Sequence, residues 1–351
     1  MAYPARVPPG GLLSRYGFLV AERTIGVMGG RAAYAQGSGP APARLRASAF
    51  PSGPVLLRRT AADALSNLVA VLELTADQQV RCIAASRRPF AATVKLVEDA
   101  LVGGDYYDTA TGAHEAGLHD GGEPIAAYAW PMLLQAGGLA RLAGTALELT
   151  PRGEAALARP SYQALGALWD RWLKSVSQDE LSRVEAIRGQ RKHAPLTVAA
   201  RRRGAVADGL AALEPGVWIE VDALFSLLRA QPGPLTVARS PLAQWGLYLV
   251  DPSRGSLGLA GRKAWNVLEG RYALCVLFEY AATLGVIDVA YTGPRGARAD
   301  YRELWGADRY DCLSRYDGLA AVQVNELGAA ILHDREALPA LGLPVPRRDA
   351  R

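Results

Sequence analysis

The sequence contains few of the residues that build metal sites and disulfide frameworks. Its 351 residues include only three cysteines, Cys82, Cys275 and Cys312, and only four histidines. The cysteines are widely spaced, odd in number and form no C-x-x-C pair, which favours reduced thiols in a cytoplasmic protein. No apolar run reaches about 18 residues, so the sequence predicts no membrane span.

Motifs of common catalytic sites are also missing. The sequence has no G-x-x-x-x-G-K-[ST] phosphate loop and no G-x-S-x-G nucleophile elbow. The stretch HEAGLHD places His114 and His119 beside carboxylates, but its glycine-rich character and its spacing do not suit a helical pair of metal ligands. We therefore predict a protein that is not an enzyme and that uses no metal or cofactor.

Lysine is scarce as well, because nearly all of the basic residues are arginine. The formal net charge is +5 and the isoelectric point is about 9.1. Such mild basicity permits a polyanionic partner without requiring one. Arginine suits bidentate contacts to phosphate or carboxylate, although a GC-rich genome explains the same composition.

The composition changes sharply along the chain. Residues 1–53 are rich in Gly, Pro, Ala, Ser and Arg and show no periodicity, which predicts a disordered segment. Apolar residues then recur with helical and strand periods over 54–160 and again over 200–335. Between these regions, 161–199 predicts a long helical connector with a basic end, and 336–351 is a Pro/Arg tail.

The two periodic regions repeat one order of elements: helix, short strand, helix, apolar helix, two-stranded ribbon, helix. The stretches that show it best are "LLQAGGLARLAGTALELTPRGEAAL" and "EYAATLGVIDVAYT…LAAVQVNELGAAIL". In each, a helix stops at glycine and a strand begins within one or two residues. In each, the second strand ends in Thr150 or Asn325 before a turn into a helix.

This order resembles that of winged-helix proteins, in which three helices and a short strand precede a two-stranded wing. The resemblance covers roughly 60–160 and 200–333. It implies an α+β fold that is mainly α with short β-ribbons, made of two winged-helix units joined by a long helical connector. Tandem winged helices resemble helicase-associated modules of bacteria and kleisin-binding partners of condensins, and the residues do not distinguish these families.

The helix that enters the major groove in DNA-reading winged helices is too apolar here for base recognition. The third helix of the first unit, Pro124 to Gln135, has one strongly polar residue, Gln135. The corresponding helix of the second unit, Arg271 to Leu284, includes Glu279, which a phosphate would repel. We expect both helices to lie in the core or to face protein.

Basic residues cluster at the end of the connector, and this cluster is the candidate nucleic-acid site. It comprises Arg183, Arg188, Arg191, Lys192, Arg201, Arg202 and Arg203. Side chains of this kind can hold the backbone phosphates of double-stranded DNA with little sequence preference. A solvated charged linker explains the same run of charge equally well.

The long connection in the second ribbon supplies the alternative, a protein-binding surface. Four aromatic residues lie in it, Tyr301, Trp305, Tyr310 and Tyr316, among balanced arginines and aspartates. They and the apolar third helices would make the chain an adaptor, a homo-oligomer or an accessory subunit of a helicase, condensin-like or defence complex. The repeat in "RYDCLSRYDG" instead favours a turn held by Arg–Asp pairs.

Overall fold

The computed structural model describes residues 55–107, 124–190, 196–249, 262–304, 307 and 310–341. From Pro51 onward the chain forms one compact unit. The segment 1–53, the HEAGLHD stretch and the tail beyond 341 lie outside the described residues. The described part is mainly helical with small antiparallel sheets, which confirms the predicted α+β class. None of its helices has the length and apolar character needed to cross a bilayer.

The described part of the first half contains four helices, a strand and a two-stranded ribbon. In chain order they are β1 (Leu56–Arg58), α1 (Ala61–Ala76), α2 (Ala91–Ala100), α3 (Ala126–Ala136), β2 (Ala140–Ala143), β3 (Ala146–Leu149) and α4 (Pro151–Ala158). Helix α1 buries Leu65, Leu68 and Leu72, as the 3.6-residue spacing predicts. Between α1 and α2, Arg81 bridges to Ala146, which attaches a very short strand to the ribbon.

The second half repeats this order with an insertion. Its elements are α5 (Tyr162–Lys174), a 3₁₀ turn (Glu180–Arg183), β4 (Ile187–Arg188), α6 (Ala199–Ala211), β5 (Trp218–Glu220), α7 (Val221–Ala230), α8 (Pro241–Trp245), β6 (Tyr248–Leu249), α9, β7 (Ile287–Tyr291), β8 (Leu319–Val324), α10 (Glu326–Leu332) and a 3₁₀ turn (Arg335–Ala340). Helix α9 consists of four consecutive segments that alternate between α and π hydrogen bonding, namely Arg262–Trp265, Asn266–Gly270, Arg271–Cys275 and Val276–Ala281.

The two ribbons begin with the same hydrogen bonds. Gly138 follows α3 with φ 68°, and Gly285 follows α9 with φ 76°, a left-handed conformation that glycine adopts without strain. The next residue then bonds back into the helix in both cases. The Leu139 amide donates to the Leu134 carbonyl, and the corresponding bond joins Val286 to Ala281, each at 2.9 Å.

The two ribbons also end in the same way. Thr150 caps α4 by accepting a hydrogen bond from the Gly153 amide, and Asn325 caps α10 by accepting one from Gly328. A Cβ on Gly153 would collide with the Leu139 carbonyl, and a Cβ on Gly328 with that of Val286. The two ribbons of the repeat predicted from the sequence therefore begin and end with matching hydrogen bonds and matching glycine contacts.

One sheet joins the two halves. Its strand order is β1-β7-β8-β5, and all neighbours are antiparallel. Strand β1 comes from the first half and pairs with β7 so that Leu56 lies opposite Tyr291. In each half the short strand before the second helix pairs with the later strand of the ribbon, since Arg81 faces Ala146 and Trp218 faces Gln323.

The core is likewise continuous across the halves. Helix α3 packs against α5 and against the end of α9, and α5 packs against α1 and α6. Trp172 of α5 stacks on Tyr280 of α9 with ring centroids 5.0 Å apart. Both third helices are buried, as their apolar sequences predict. The expected boundary at residue 160 therefore lies inside one hydrophobic core.

The long helical connector predicted over 161–199 is wrong beyond Lys174. Arg203, which is fully buried, donates to the carbonyls of Trp172, Ser175 and Gln178 at 2.6–2.8 Å. These bonds satisfy carbonyls that a continuing helix would have used internally. The chain consequently turns around this guanidinium, and among the described residues the 3₁₀ turn at Glu180 and the two-residue strand β4 are the elements found before α6 begins at Ala199.

Candidate functional site

Three arginines of the predicted phosphate-binding cluster lie inside the protein. Arg183, Arg202 and Arg203 are 4%, 1% and 0% exposed. Arg203 donates to Glu180 at 2.8 Å, and the Tyr272 hydroxyl donates to the other oxygen of that carboxylate. The prediction that these three arginines bind phosphates is therefore wrong, because they are buried and internal carboxylates and carbonyls take up most of their donors.

Arg183 shows the same arrangement between the two third helices. Its guanidinium makes a bidentate contact with Glu279 of α9 at 3.0–3.1 Å and lies over the ring of Tyr128 of α3, 3.4 Å from the centroid. The Tyr316 hydroxyl also donates to Glu279. A buried charge is tolerated only when it is paired and hydrogen-bonded, so this cluster has a structural role.

Burial also affects the carboxylates of these pairs. Burial is the largest influence on Glu180 and raises its pKa above the usual glutamate value, even though Arg203 acts in the opposite direction. Removal of either partner would leave an uncompensated buried charge. The arginine run that looked like a surface patch in the sequence is thus largely internal support for the turn after α5.

The remaining members of the cluster differ in position. Arg188 in β4 and Arg201 in α6 are exposed, and neither has a carboxylate within ion-pair distance in the part of the chain that the structure describes. Arg191 and Lys192 fall in 191–195, outside the described residues. The accessible part of the predicted site is therefore reduced to Arg188 and Arg201.

The predicted aromatic protein-binding surface is also largely internal. Tyr301 and Tyr316 are fully buried, and the Tyr301 hydroxyl donates to the Tyr310 carbonyl at 2.7 Å. Tyr310 is half-buried, while Trp305 lies outside the described residues. The prediction that Tyr301 and Tyr316 bind a partner is wrong, because the connection folds onto its own core.

The aspartates of that connection explain why it packs inward. Asp317 accepts hydrogen bonds from the Leu313 amide and the Ser314 hydroxyl, and it pairs with Arg271 of α9 at 3.1 Å. Asp300 pairs with the same guanidinium at 2.7 Å. Asp317 of the "RYDCLSRYDG" stretch thus pairs with an arginine of the third helix, while Arg315 of the same stretch pairs with Glu185, and Arg309 lies outside the described residues.

The structure contains a cleft that the sequence did not reveal. It has a volume of about 290 Å³ and lies between the turn at 83–88 and the segment that follows α5. Its apolar wall includes Tyr128 and Met132 of α3 and Tyr280 of α9. The polar residues that line it include Arg88, Ser177, Gln178, Asp179 and Ser182.

Charge in the cleft is only partly compensated. Asp179 receives two hydrogen bonds from Arg202, at 2.9 and 2.5 Å, and a third from the Leu181 amide. Arg88 donates to the Ser182 hydroxyl at 2.7 Å and has no carboxylate within ion-pair distance among the described residues. The cleft therefore presents a cation whose charge is not neutralised, together with a neutral polar wall.

Sequence reasoning missed Arg88 because it is isolated in the chain. Its only basic neighbour is Arg87, which adopts φ 61° in the turn and is exposed. A turn of "SRRPF" before a helix is a weak signal, since many surface turns carry arginine. Only the approach of the segment at 177–182, some 90 positions later, gives Arg88 its surroundings.

No metal centre is visible in the described part of the chain, where no group of three or more His, Cys, Asp or Glu residues converges. The three cysteines are buried and unpaired with one another. Comparison of the chain with protein-family models, with curated proteins and with solved structures finds no match.

Proposed function

We propose that the chain consists of two winged-helix units that bind the phosphate backbone of duplex DNA without reading its sequence. The repeated order of three helices, short strand and ribbon supports the winged-helix interpretation. So does the pairing of each short strand with the later ribbon strand. Within this proposal the unusual feature is that the two units pack through their third helices.

That packing determines the mode of binding. A helix that reads bases must leave one polar face free to enter the major groove. Here α3 and α9 bury nearly all of their described side chains in the shared core, where they contact each other and the surrounding elements. Base-edge contacts from these helices are therefore excluded, and contact with DNA is restricted to backbone phosphates.

The observation that carries the proposal is a set of exposed arginines without carboxylate partners. Arg87, Arg188 and Arg201 are exposed, and no described carboxylate lies within ion-pair distance of them. Arg188 precedes Gln190 at the cleft by two residues, and Arg201 adjoins Arg202, which binds Asp179 at the same cleft. Phosphate contacts of this kind give sequence-independent affinity that falls steeply with salt.

The test is fluorescence anisotropy with a labelled duplex of about 20 base pairs at about 50 to 200 mM salt. We expect the double variant R188A/R201A to bind roughly tenfold more weakly and to lose about two from the slope of log K against log salt. Lys95→Ala is the matched control, because it removes a positive charge that Glu98 and Asp99 already neutralise. Equal affinity of the double variant and the wild type would refute the proposal.

A second candidate function, a protein adaptor, is favoured by a different observation. Val176 and Val198 are 86% and 53% exposed; Val176 directly precedes Ser177 and Val198 follows Leu196 by two positions, and Ser177 and Leu196 both line the cleft. Contiguous exposed apolar surface is typical of protein-binding sites. This surface replaces the buried tyrosines that the sequence had suggested. A V176D/V198D variant that binds DNA normally would separate this function from the first.

A further inference from the structure

The cleft beside Arg88 has the properties of a ligand site, and none of the exposed arginines Arg87, Arg188 and Arg201 lines it. It is concave, close to the lower end of the roughly 300–1,000 Å³ range of small-molecule sites, and has an aromatic wall. Side chains from both halves of the chain meet there, with Arg88 and Tyr128 from the first and Gln178 from the second. Such a junction is fixed by the fold and is therefore preorganised.

Hydrogen-bond donors without acceptors indicate the chemistry of the ligand. The half-buried Arg88 uses one nitrogen to reach the Ser182 hydroxyl, and among the described residues its guanidinium has no second acceptor. The Gln178 Nε2 atom is buried with no hydrogen-bond partner among the described residues. A buried donor without an acceptor is rare in native proteins and suggests that another group supplies the acceptor.

The surrounding charges favour an anionic ligand over a neutral one. The only carboxylate that lines the cleft among the described residues, Asp179, is held by Arg202 and the Leu181 amide. The charge of Arg183 is matched by Glu279. Arg88 is thus the uncompensated charge, and a guanidinium is well suited to bidentate recognition of phosphate oxygens.

We propose that this cleft binds a phosphate monoester, with Arg88 and the Gln178 amide as donors to its oxygens. Tyr128, Met132 and Tyr280 form a nearly fully buried floor, so the group that carries the phosphate lies towards the open side of the cleft. The phosphate comes from a free nucleotide or from the phosphorylated end of a nucleic-acid strand. Arg188 and Arg201 adjoin the cleft in the chain but do not line it, so their substitution tests backbone binding and substitution of Arg88 tests this site.

Isothermal titration calorimetry on the full chain tests the proposal with four probes. They are AMP, adenosine, and a single strand of about 12 nucleotides with either a 5′-phosphate or a 5′-hydroxyl. We expect binding of AMP, of the 5′-phosphorylated strand, or of both, and at least about tenfold weaker binding of the matching probe without phosphate. Binding of AMP identifies a free nucleotide, and binding of the 5′-phosphorylated strand alone identifies a strand end.

Variants then connect the binding to the cleft. We expect R88A and Q178A to weaken phosphate-dependent binding, R88A by about tenfold or more, and R88K to recover part of it. Arg81→Ala is the control, since it removes an exposed arginine before the same turn. Thermal unfolding of R88A shows whether the turn remains folded, and R88K keeps the test valid if it does not. Probes that bind equally with and without phosphate, an absence of binding by all four, or unchanged binding by R88A and R88K would each overturn the proposal.

Discussion

At the scale of single residues, the fold depends on charged side chains that are buried and paired. Arg183, Arg203 and Arg271 each pair with at least one carboxylate that is itself fully buried. Pairs of this kind contribute little net stability compared with apolar residues, but they specify one arrangement of the chain. The sequence showed the charges and not the pairs, because partners up to 96 positions apart meet only in the folded chain.

Glu269 is a buried carboxylate that has no such partner at ion-pair distance in the described chain. It accepts a hydrogen bond from the Val237 amide at 3.0 Å, and burial raises its pKa to about 7. The folded state therefore holds this proton more tightly than the unfolded state does. Glu269 thus lowers stability as the pH rises from the usual glutamate pKa to about 7, by an amount on the order of 3 kcal/mol.

The variant Glu269→Gln tests this pH dependence. The amide resembles the protonated acid and cannot ionise, so we expect a thermal midpoint close to that of the wild type at about pH 5. At about pH 8 the variant should be the more stable protein. Glu214→Gln, at an exposed position, is the control for the loss of one negative charge. If the thermal midpoints of the wild type and E269Q changed in parallel between these two pH values, the Glu269 carboxylate would not titrate between them.

At the scale of elements, the sequence predicted the ribbons well and the connector poorly. Ribbons depend on local signals, namely a glycine after the helix and a capping Thr150 or Asn325, and such signals act within a few residues. The end of α5 depends on Arg203, almost 30 positions away, which donates to one carbonyl in the last turn of the helix and to one just after it. Helix periodicity alone could not indicate where that helix ends.

The glycines at the start of α4 and α10 provide a prediction at this scale. Gly153→Ala and Gly328→Ala should each destabilise the protein by roughly 1–3 kcal/mol, because the added methyl group meets a backbone carbonyl that cannot move away easily. Gly204→Ala in α6 is the matched control. Its Cβ would have no neighbour within 4 Å, so the variant should gain about 0.5–1 kcal/mol from helix propensity.

Urea denaturation measures these differences. If G153A and G328A changed stability in the same direction as G204A, the two carbonyl contacts would not constrain the ribbons. G153A and G328A together also test the internal repeat. Similar losses of stability in the two variants are expected only if the two turns from ribbon to helix have equivalent structures.

At the scale of the whole molecule, the two repeated halves share one sheet and one core. Strand β1 completes the sheet of the second half, and the third helices pack against one another. Two winged-helix units on a separate connector would unfold independently. A shared core instead predicts that the described part of the chain unfolds as one cooperative unit.

Core truncations in the two halves test that cooperativity. Leu133 of α3 and Leu277 of α9 are both fully buried. Each Leu→Ala variant should lower the stability of a single transition by about 2–5 kcal/mol. Far-UV circular dichroism and tryptophan fluorescence should report the same midpoint for each variant. Two transitions, of which each variant shifts only one, would show that the halves fold separately.

The sequence by itself determined the elements whose signals are local. These are the α+β class, the apolar third helices, the two glycine-stopped ribbons and their equivalence. Tertiary structure alone decided which charges face water. Arg201, Arg202 and Arg203 are consecutive, yet the first is exposed and the other two are buried on carboxylates and carbonyls. The physical reason is that a buried guanidinium needs acceptors from distant parts of the chain, and only folding brings them within hydrogen-bond distance.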